Sequence, residues 1–430
     1  MSNKQEEKKY VSFTEEMKKD YTILVPNMLP MHFKLIMKIL GTYGYKTELL
    51  TTEGPEIAET GLKYVHNDAC YPALLVIGQF IHALQSGKYD TKKVALIYFQ
   101  TGGGCRASNY VSLLRKALEK AGLEYVPVIA FSFGGIEKHP GFKMTVPILH
   151  RILYAVLYGD LLLSLVNQCK PYETNKGDTE ALAECILTDL ATLMDKEGVS
   201  FRQVKKKSRE IVKKFASIPM TKTEKVKVGI VGEIYVKYSP LGNNNLERFL
   251  VEEGAEVVIP GLYDFLIYCL YDGILDRDLY GENKFGAFIT SIACKILINF
   301  QKKISEIVAE EGTFTPPTVF TELLSRMDDK FIGIGTKMGE GWLLPAEMLE
   351  LYHSGVKNIV CTQPFGCLPN HICGKGVMKP LKDAYPDINI VAIDYDPGAT
   401  RVNQENRIKL MLANARNEFA VPEKKFEVKL

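Results

Sequence analysis

The chain has almost no net charge and no long apolar run. Its 53 lysines and arginines nearly balance 51 acids, which gives a formal net charge of +2. This balance leaves no basic excess for nucleic acid and no acidic tail. A membrane helix needs roughly 18 apolar residues in a row, and the longest apolar stretch, around 152–166, is interrupted by Tyr158, Gly159, Asp160 and Ser164. We therefore expect a protein that binds neither nucleic acid nor membrane.

The N-terminal residues also lack the apolar segment of a signal peptide, because residues 1–9 (MSNKQEEKK) are polar and charged. Without an export signal, the nine cysteines indicate reduced thiols rather than disulfides. We expect a cytoplasmic location. Apolar residues make up 46% of the 430 residues and charged residues 24%, which is ordinary for a globular protein of two or three domains.

Short apolar segments alternate with segments of helical period in the first third of the chain. The predicted strands are 22–26, 46–50, 93–99 and 125–131. The predicted helices between them are 32–40, 57–65, 73–85 and 108–121. Alternation of this kind with short loops predicts an α/β domain with a parallel, doubly wound sheet.

The rest of the chain predicts a helical region followed by a second α/β domain. Its predicted strands are 226–231, 256–259, 358–360 and 389–393. The sequence therefore divides into an N-terminal α/β domain with two cysteine loops (1–144), a helical region (145–222) and a C-terminal α/β domain (223–430). The last domain carries a helical insertion at about 282–312 and a cysteine-rich loop at 361–373.

That loop contains three evenly spaced cysteines in a stretch broken by glycine and proline, CTQPFGCLPNHICGKG (361–376). It follows a predicted strand and precedes a helix expected near Lys375. Two other loops with glycine or proline carry single cysteines. Glycine lets a backbone approach an iron–sulfur cluster closely, proline stiffens the loop, and thiolates ligate the iron. The candidate ligands are Cys70, Cys105, Cys361, Cys367 and Cys373.

The spacing matches no standard ferredoxin or zinc motif, so the alternative of buried cysteines that act as small apolar side chains stays open. Cys373 could also cap the following helix. For four further cysteines in apolar helical stretches, packing in the core is the preferred interpretation. These are Cys169, Cys185, Cys269 and Cys294.

Several polar residues near these loops are candidates for proton transfer. Glu340 lies between two glycines before a helix and could be a proton donor or base, or a turn residue or helix cap. His371 flanks the cysteine-rich loop and could move a proton or have a structural role. Glu233 ends a predicted strand, where open α/β sheets place ligands. The three glycines before Cys105 lack the ending of a phosphate-binding P-loop.

At these residues the chain resembles a known family, the 2-hydroxyacyl-CoA dehydratase superfamily, and in particular its branch of acyl-CoA dehydratase activase-related and double-cubane cluster proteins. The resemblance runs from about residue 21 to 416. It implies two flavodoxin-like (Rossmann-like) parallel-sheet domains with helical insertions. The segments that carry it are HNDACYP (66–72), QTGGGCR (100–106), VGEI (231–234), GEGW (339–342) and QPFGCLPNH (363–371).

The resemblance also implies a cofactor and a partner. The cofactor is a 4Fe–4S cluster, or in one branch a double-cubane 8Fe–9S cluster; Cys70, Cys105 and Cys367 match its ligand positions best, and Cys361 comes next. Single electrons come from a separate ATP-dependent iron–sulfur activase, and this chain has no ATPase motif of its own. We expect an iron–sulfur oxidoreductase, a low-potential reductase component that acts as a homodimer on a small-molecule substrate.

Three alternatives to this reductase remain open. The chain could be a subunit of a radical 2-hydroxyacyl-CoA dehydratase, which is a lyase. It could also be a non-catalytic iron–sulfur carrier or scaffold. The third alternative is an α/β binding protein in which the cysteines are incidental.

Overall fold

The computed structural model describes residues 10–66, 69–100, 104–131, 137–195, 198–221, 223–281, 284–327 and 331–420. The chain divides into two compact units, Met1–Ile152 and Leu153–Leu430. The division falls inside one helix, so most of the predicted helical region belongs to the second unit.

The first unit holds a four-stranded sheet in which every strand pair is parallel, in the order β2-β1-β3-β4. Its strands are β1 (Thr22–Pro26), β2 (Lys46–Leu50), β3 (Val94–Phe99) and β4 (Val128–Phe131). Its helices are α1 (Glu15–Asp20), α2 (Pro30–Thr42), α3 (Pro55–Tyr64), α4 (Tyr71–Gln85) and α5 (Tyr110–Lys120), followed by the start of α6 (Val146–Cys169). Proline stands in the first turn of α2, α3 and α4, where its missing N–H costs no hydrogen bond.

The second unit holds another four-stranded parallel sheet, in the order β6-β5-β7-β8. Its strands are β5 (Lys227–Gly232), β6 (Glu256–Val258), β7 (Asn358–Pro364) and β8 (Asn389–Tyr395). Its helices before β6 are α7 (Asp178–Met194), α8 (Phe201–Ala216), α9 (Ile234–Tyr238), α10 (Pro240–Asn243) and α11 (Leu246–Glu252). Those after β6 are α12 (Leu262–Tyr280), α13 (Lys284–Glu311), α14 (Phe320–Ser325), α15 (Leu343–His353), α16 (Met378–Ala384) and α17 (Arg401–Ala420).

The predicted fold class is confirmed. Both sheets are parallel and flanked by helices, as in two flavodoxin-like domains. In each, the first strand of the unit lies between the second and the third, so the two units share one strand order. Helices on both faces bury most residues of β1, β5 and β7, which explains the near-continuous apolar sequences of β1 and β5.

One strand boundary differs from the prediction in a way that matters for the site. β7 was predicted to end at residue 360, but it continues to Pro364 and pairs with β8 along its whole length. The continuation contains Thr362 and Gln363, polar residues that are fully buried. Cys361 therefore lies inside a strand and not on a loop.

One helix, α6, is long and apolar enough by composition to cross a membrane, but 67% of its most apolar window is buried inside the protein. This burial fits a core helix. The predicted packing of cysteines in helices is confirmed for Cys169 and Cys294, which are buried, and wrong for Cys185 and Cys269, which are exposed.

Candidate functional site

Two of the predicted cysteine loops meet at one contact in the first unit. Cys70 is the residue before α4, and its Sγ lies 2.8 Å from the hydroxyl of Tyr110. Tyr110 begins α5, and Cys105 comes five residues earlier, in the loop that follows β3. The loop before α4 and the end of the loop after β3 are therefore held together by a sulfur–hydroxyl hydrogen bond.

The surroundings of these two thiols suit a thiolate. The Tyr110 ring stacks on Tyr98 of β3, with ring centroids 5.2 Å apart, so its hydroxyl is held in place. The backbone N–H of Ala107 donates to Cys105 Sγ at 3.5 Å. Cys70 is buried and Cys105 half-buried. Hydrogen bonds donated to sulfur are those that stabilise ligated thiolates.

In the second unit, Cys361 is a residue of β7, and its side chain packs into a hydrophobic core. It is fully buried among Val231, Leu349 and Ile390. Burial, with a smaller contribution from the Glu347 carboxylate, raises the pKa of its thiol to about 12. Its Sγ has Asn370 Oδ1 as a weak partner at 3.9 Å. This position favours the packing role that was left open for the cysteines.

Cys367 and Cys373 lie on the segment that follows β7. Cys367 is 7% exposed, and Cys373 is 2% exposed within a π-helical turn, Asn370–Gly374. Burial, and less so the nearby Glu340 carboxylate, raises the pKa of the Cys373 thiol to about 11. Helical backbone begins at Leu368 and not near Lys375 as predicted. Asn370 is fully buried and donates to the carbonyl of Thr362 at 3.0 Å, which fixes the turn against β7.

His371 is held by its Nδ1 atom. Nδ1 lies 2.7 Å from the carbonyl oxygen of Cys367 and 3.0 Å from the Gln363 side-chain amide. The carbonyl accepts from a protonated Nδ1, whereas the amide nitrogen of Gln363 donates to an unprotonated one, so the two contacts favour opposite tautomers. The residue itself is exposed. An exposed imidazole with partners for either tautomer is suited to moving protons.

Glu340 lies beside a second buried acid, Glu233. Glu233 is the residue before α9 and accepts from the Val236 N–H at 2.9 Å, while Glu340 accepts from the Ile234 N–H at 2.9 Å. Burial, and then the charge of Glu340, raises the pKa of Glu233. Burial also raises the pKa of Glu340, although the Ile234 N–H opposes it. Both carboxyl groups therefore keep a proton to a higher pH than an exposed glutamate does.

A buried ion pair that the sequence did not predict lies close to these acids. Lys237 Nζ lies 2.9 Å from one carboxylate oxygen of Glu347 and 3.2 Å from the other, and both side chains are buried. The signal was present, since each charged residue interrupts an otherwise apolar helical segment. Such a residue is buried only with a partner.

Asp264 is a further buried acid that the sequence did not single out. Burial raises its pKa to about 8, and the side-chain amide of Gln301 donates to it at 2.6 Å. The Gln301 oxygen accepts from the Phe320 N–H at 2.9 Å. The acid therefore links α12, α13 and the start of α14.

The polar segment after α9 contributes Asn243 and Asn244 to the lining of a small open depression, beside residues of β8 and α17. Asn244 and Asn245 both have left-handed backbone conformations, with φ of 57° and 60°. Asn244 donates to Gln404 at 2.8 Å, and Gln404 donates to the Asp394 carbonyl at 2.9 Å. These contacts tie the segment to β8 and α17.

Taken unit by unit, the predicted ligands fall into two sets: Cys70 and Cys105 in the first unit, and Cys361, Cys367 and Cys373 in the second. Among the residues that the structure describes, no three histidine, cysteine or acidic side chains are close enough to hold a metal ion. Comparison of the chain with known protein families and with curated proteins found no match.

Proposed function

We propose that this protein is a cytoplasmic iron–sulfur reductase component, charged by a separate ATP-dependent activase, that transfers electrons at low potential to a small molecule. The observation that carries the proposal is the contact between Cys70 and Tyr110, which joins two cysteine loops that are distant in sequence. The proposal assigns Cys70, Cys105 and Cys367 as cluster ligands.

The chemistry of these residues fits such a cofactor. All three are thiols beside backbone that starts a helical segment, and Cys105 and Cys70 each have a hydrogen-bond donor within reach. Around Cys367, three apolar side chains are about half exposed: Phe365, Leu368 and Ile372. An apolar shell of this kind lowers the local dielectric and tunes the reduction potential. When bound, the cluster would supply the one-electron chemistry.

Within the second unit, this chain's own residues would handle the protons that accompany reduction. His371 is exposed, and its Nδ1 contacts both the Cys367 carbonyl and the Gln363 amide nitrogen. Glu340 and Glu233 are acids whose pKa values are raised by burial. Proton donors and acceptors whose pKa lies near the working pH are what acid–base catalysis needs.

The test is metal analysis of protein purified without oxygen. We expect about four irons per chain for a single cube, or about eight for a double one, with matching sulfide. Cys70→Ser, Cys105→Ser and Cys367→Ser should each lower the iron content. Cys185→Ser, at an exposed cysteine of α7, is the matched control and should keep it.

A wild-type protein that binds no iron, even after anaerobic reconstitution, would refute the proposal. So would a triple variant of Cys70, Cys105 and Cys367 that keeps full iron content.

The buried acids favour a radical 2-hydroxyacyl-CoA dehydratase as the second candidate over a carrier. A dehydratase must remove a proton from its substrate, whereas a carrier needs no acid–base group. Activase-treated protein should be assayed with a 2-hydroxyacyl-CoA and with small unsaturated molecules. Turnover of the thioester alone selects the dehydratase, and cluster transfer to an apo-acceptor without turnover of either selects the carrier.

A further inference from the structure

Helix α13 has apolar residues on two opposite sides. It is 28 residues long, and one side faces the protein through Ala287, Cys294 and Leu297, which are buried. A surface helix of a globular protein normally buries one apolar stripe and shows a polar face to water. The first half of α13 departs from that pattern.

Helix α13 packs against both α12 and α8. Two contacts with α8 lie in the second half of α13. Phe300 stacks on Phe201, the first residue of α8, with ring centroids 4.0 Å apart. Further along, Glu310 pairs with Arg209 of α8 at 3.4 Å. Nearer the start of α13, Thr290 faces α12, where a Cβ on Gly273 would stand 3.8 Å from the Thr290 side chain.

On that first half, a stripe of large apolar side chains faces outward. At 3.6 residues per turn, their spacing of i, i+3, i+4, i+7 and i+11 places them within about 100° of the helix circumference. Their exposed fractions range from 47% to 76%. We call these residues the α13 stripe: Phe285, Phe288, Ile289, Ile292 and Ile296.

The α13 stripe itself contains no charged residue, and two exposed lysines, Lys284 and Lys295, border it on one side. Between Phe285 and Cys294, the remaining residues are Gly286, Ala287, Thr290, Ser291 and Ala293, all of them small. Small residues beside large ones let a second helix approach closely. A helix with large apolar side chains on two opposite sides is expected to bury both.

The exposed area matches what a stable interface needs. With about 150–250 Å² for an aromatic side chain and somewhat less for isoleucine, the α13 stripe exposes roughly 500 Å². Leu279 and Tyr280, at the end of α12, are 49% and 63% exposed and bring the total to roughly 700 Å². A standard interface buries about 800 Å² on each partner, and large apolar patches are uncommon on monomers.

We propose that the α13 stripe is the interface with a second copy of this chain. Permanent homodimer interfaces are more apolar than transient ones, which resemble the rest of the surface. A transient redox partner is guided by charge, and the α13 stripe offers only the two lysines at its border. A helix lying on a membrane has a strongly polar opposite face, whereas the opposite face of α13 is packed against protein.

A two-fold contact pairs the stripe with itself. If the two helices run antiparallel and the axis passes Ile292, Phe288 of one copy meets Ile296 of the other. The two Ile292 side chains then touch each other. This inference concerns α12 and α13 alone and does not depend on the cluster.

The test is the mass of the full-length protein, purified without oxygen, by sedimentation over a range of concentrations. We expect twice the 48.3 kDa chain mass for the wild type. Ile292→Asp should weaken self-association at least tenfold, because an exposed side chain can accept the change without unfolding the chain. Leu410→Asp, at a residue of α17 that is 64% exposed, is the control and should remain dimeric.

A second variant decides the case if Ile292→Asp folds poorly. Ile292→Cys should give a covalent dimer with a short bismaleimide, beyond the level of wild type treated in parallel, and Leu410→Cys should not. A monomeric wild type overturns the proposal, including one whose stripe binds lipid vesicles or another protein. So does a dimer that Ile292→Asp leaves intact, or an Ile292→Cys protein that does not cross-link.

Discussion

At the scale of single residues, two acids of the second unit have pKa values that burial raises more than any one partner does. Glu233 and Glu340 are 8% and 7% exposed, and burial is the largest cause of the raised pKa of each. The sequence pointed to Glu340 because of its two glycines, and to Glu233 because it ends a strand. It could not show that both accept N–H groups from the first turn of α9.

Glu340→Gln should leave the fold intact and remove a proton donor. Glutamine can still accept from the Ile234 N–H, so we expect normal iron content. General acid–base catalysis contributes about 100-fold or more, and activase-dependent turnover should fall by that order. Because burial raises the pKa of Glu340, infrared spectroscopy should show a wild-type carboxylic-acid band that persists above the usual titration range of a glutamate and weakens in the variant.

Glu322→Gln, at an exposed acid of α14, is the control and should change neither turnover nor the band. Unchanged turnover in Glu340→Gln would mean that this side chain only holds the start of α9.

Tyr110→Phe should loosen the proposed cluster without unfolding the first unit. The ring stays stacked on Tyr98, but the hydroxyl 2.8 Å from Cys70 Sγ is lost. Loss of a group that supports a metal ligand typically lowers metal affinity by about 10- to 100-fold. We expect iron to pass to a chelator correspondingly faster, with little change in the unfolding temperature.

Tyr125→Phe also removes a phenol hydroxyl, one that contacts Thr91 on the surface, and serves as the comparison. Equal rates of iron loss in the two variants would count against a role for Tyr110 at the cluster.

At the scale of elements, the sequence predicted strands and helices well where apolar residues follow one period. It failed at β7, where polar residues continue the strand. Thr362 is fully buried, and its hydroxyl stays hydrogen-bonded there because it donates to the Val231 carbonyl at 3.2 Å. The side-chain nitrogen of Gln363 lies 3.0 Å from His371 Nδ1. A polar side chain that finds its partner inside the fold looks, in the sequence, like the end of a strand.

Gly78→Ala should destabilise the protein even though alanine favours helix by about 1 kcal/mol. Gly78 lies in α4, and a Cβ there would stand 2.3 Å from the backbone oxygen of Ile57 in α3. Backbone cannot move aside as a side chain can, so the clash outweighs the helical preference. We expect a loss of about 1–3 kcal/mol in the free energy of unfolding, measured by urea denaturation.

Gly41→Ala in α2 is a matched control, because a Cβ there meets nothing within 4 Å. It should raise stability by about 0.5–1 kcal/mol. If both variants were stabilised, α3 and α4 would not be as close as described.

At the scale of the whole molecule, buried acids make stability depend on pH in an unusual direction. Burial raises the pKa of Asp264 from its ordinary value near 3.8 to about 8. Between these values the folded protein holds a proton that the unfolded chain releases. Stability is therefore lost as pH rises from about 4 to 8, and the other buried acids with raised pKa act in the same sense.

Asp264→Asn should flatten that dependence. Asparagine can accept from Gln301 as aspartate does, but it has no proton to lose. From pH 5 to 8 the wild type should lose stability relative to the variant by roughly 1 kcal/mol per pH unit, measured by urea unfolding. Asp383→Asn, at an exposed acid of α16, should run parallel to the wild type, and a parallel curve for Asp264→Asn would refute the prediction.

The sequence by itself determined the α/β class, most of the strands and helices, and the segments worth searching for chemistry. Those features depend on neighbours along the chain, through apolar period, glycine and proline. Only the tertiary structure decided that Cys361 packs in a core, that Cys70 meets Tyr110, and that Glu233 lies by Glu340. These relations join residues far apart in sequence, and burial, which sets their pKa values, exists only once the helices close over the sheets.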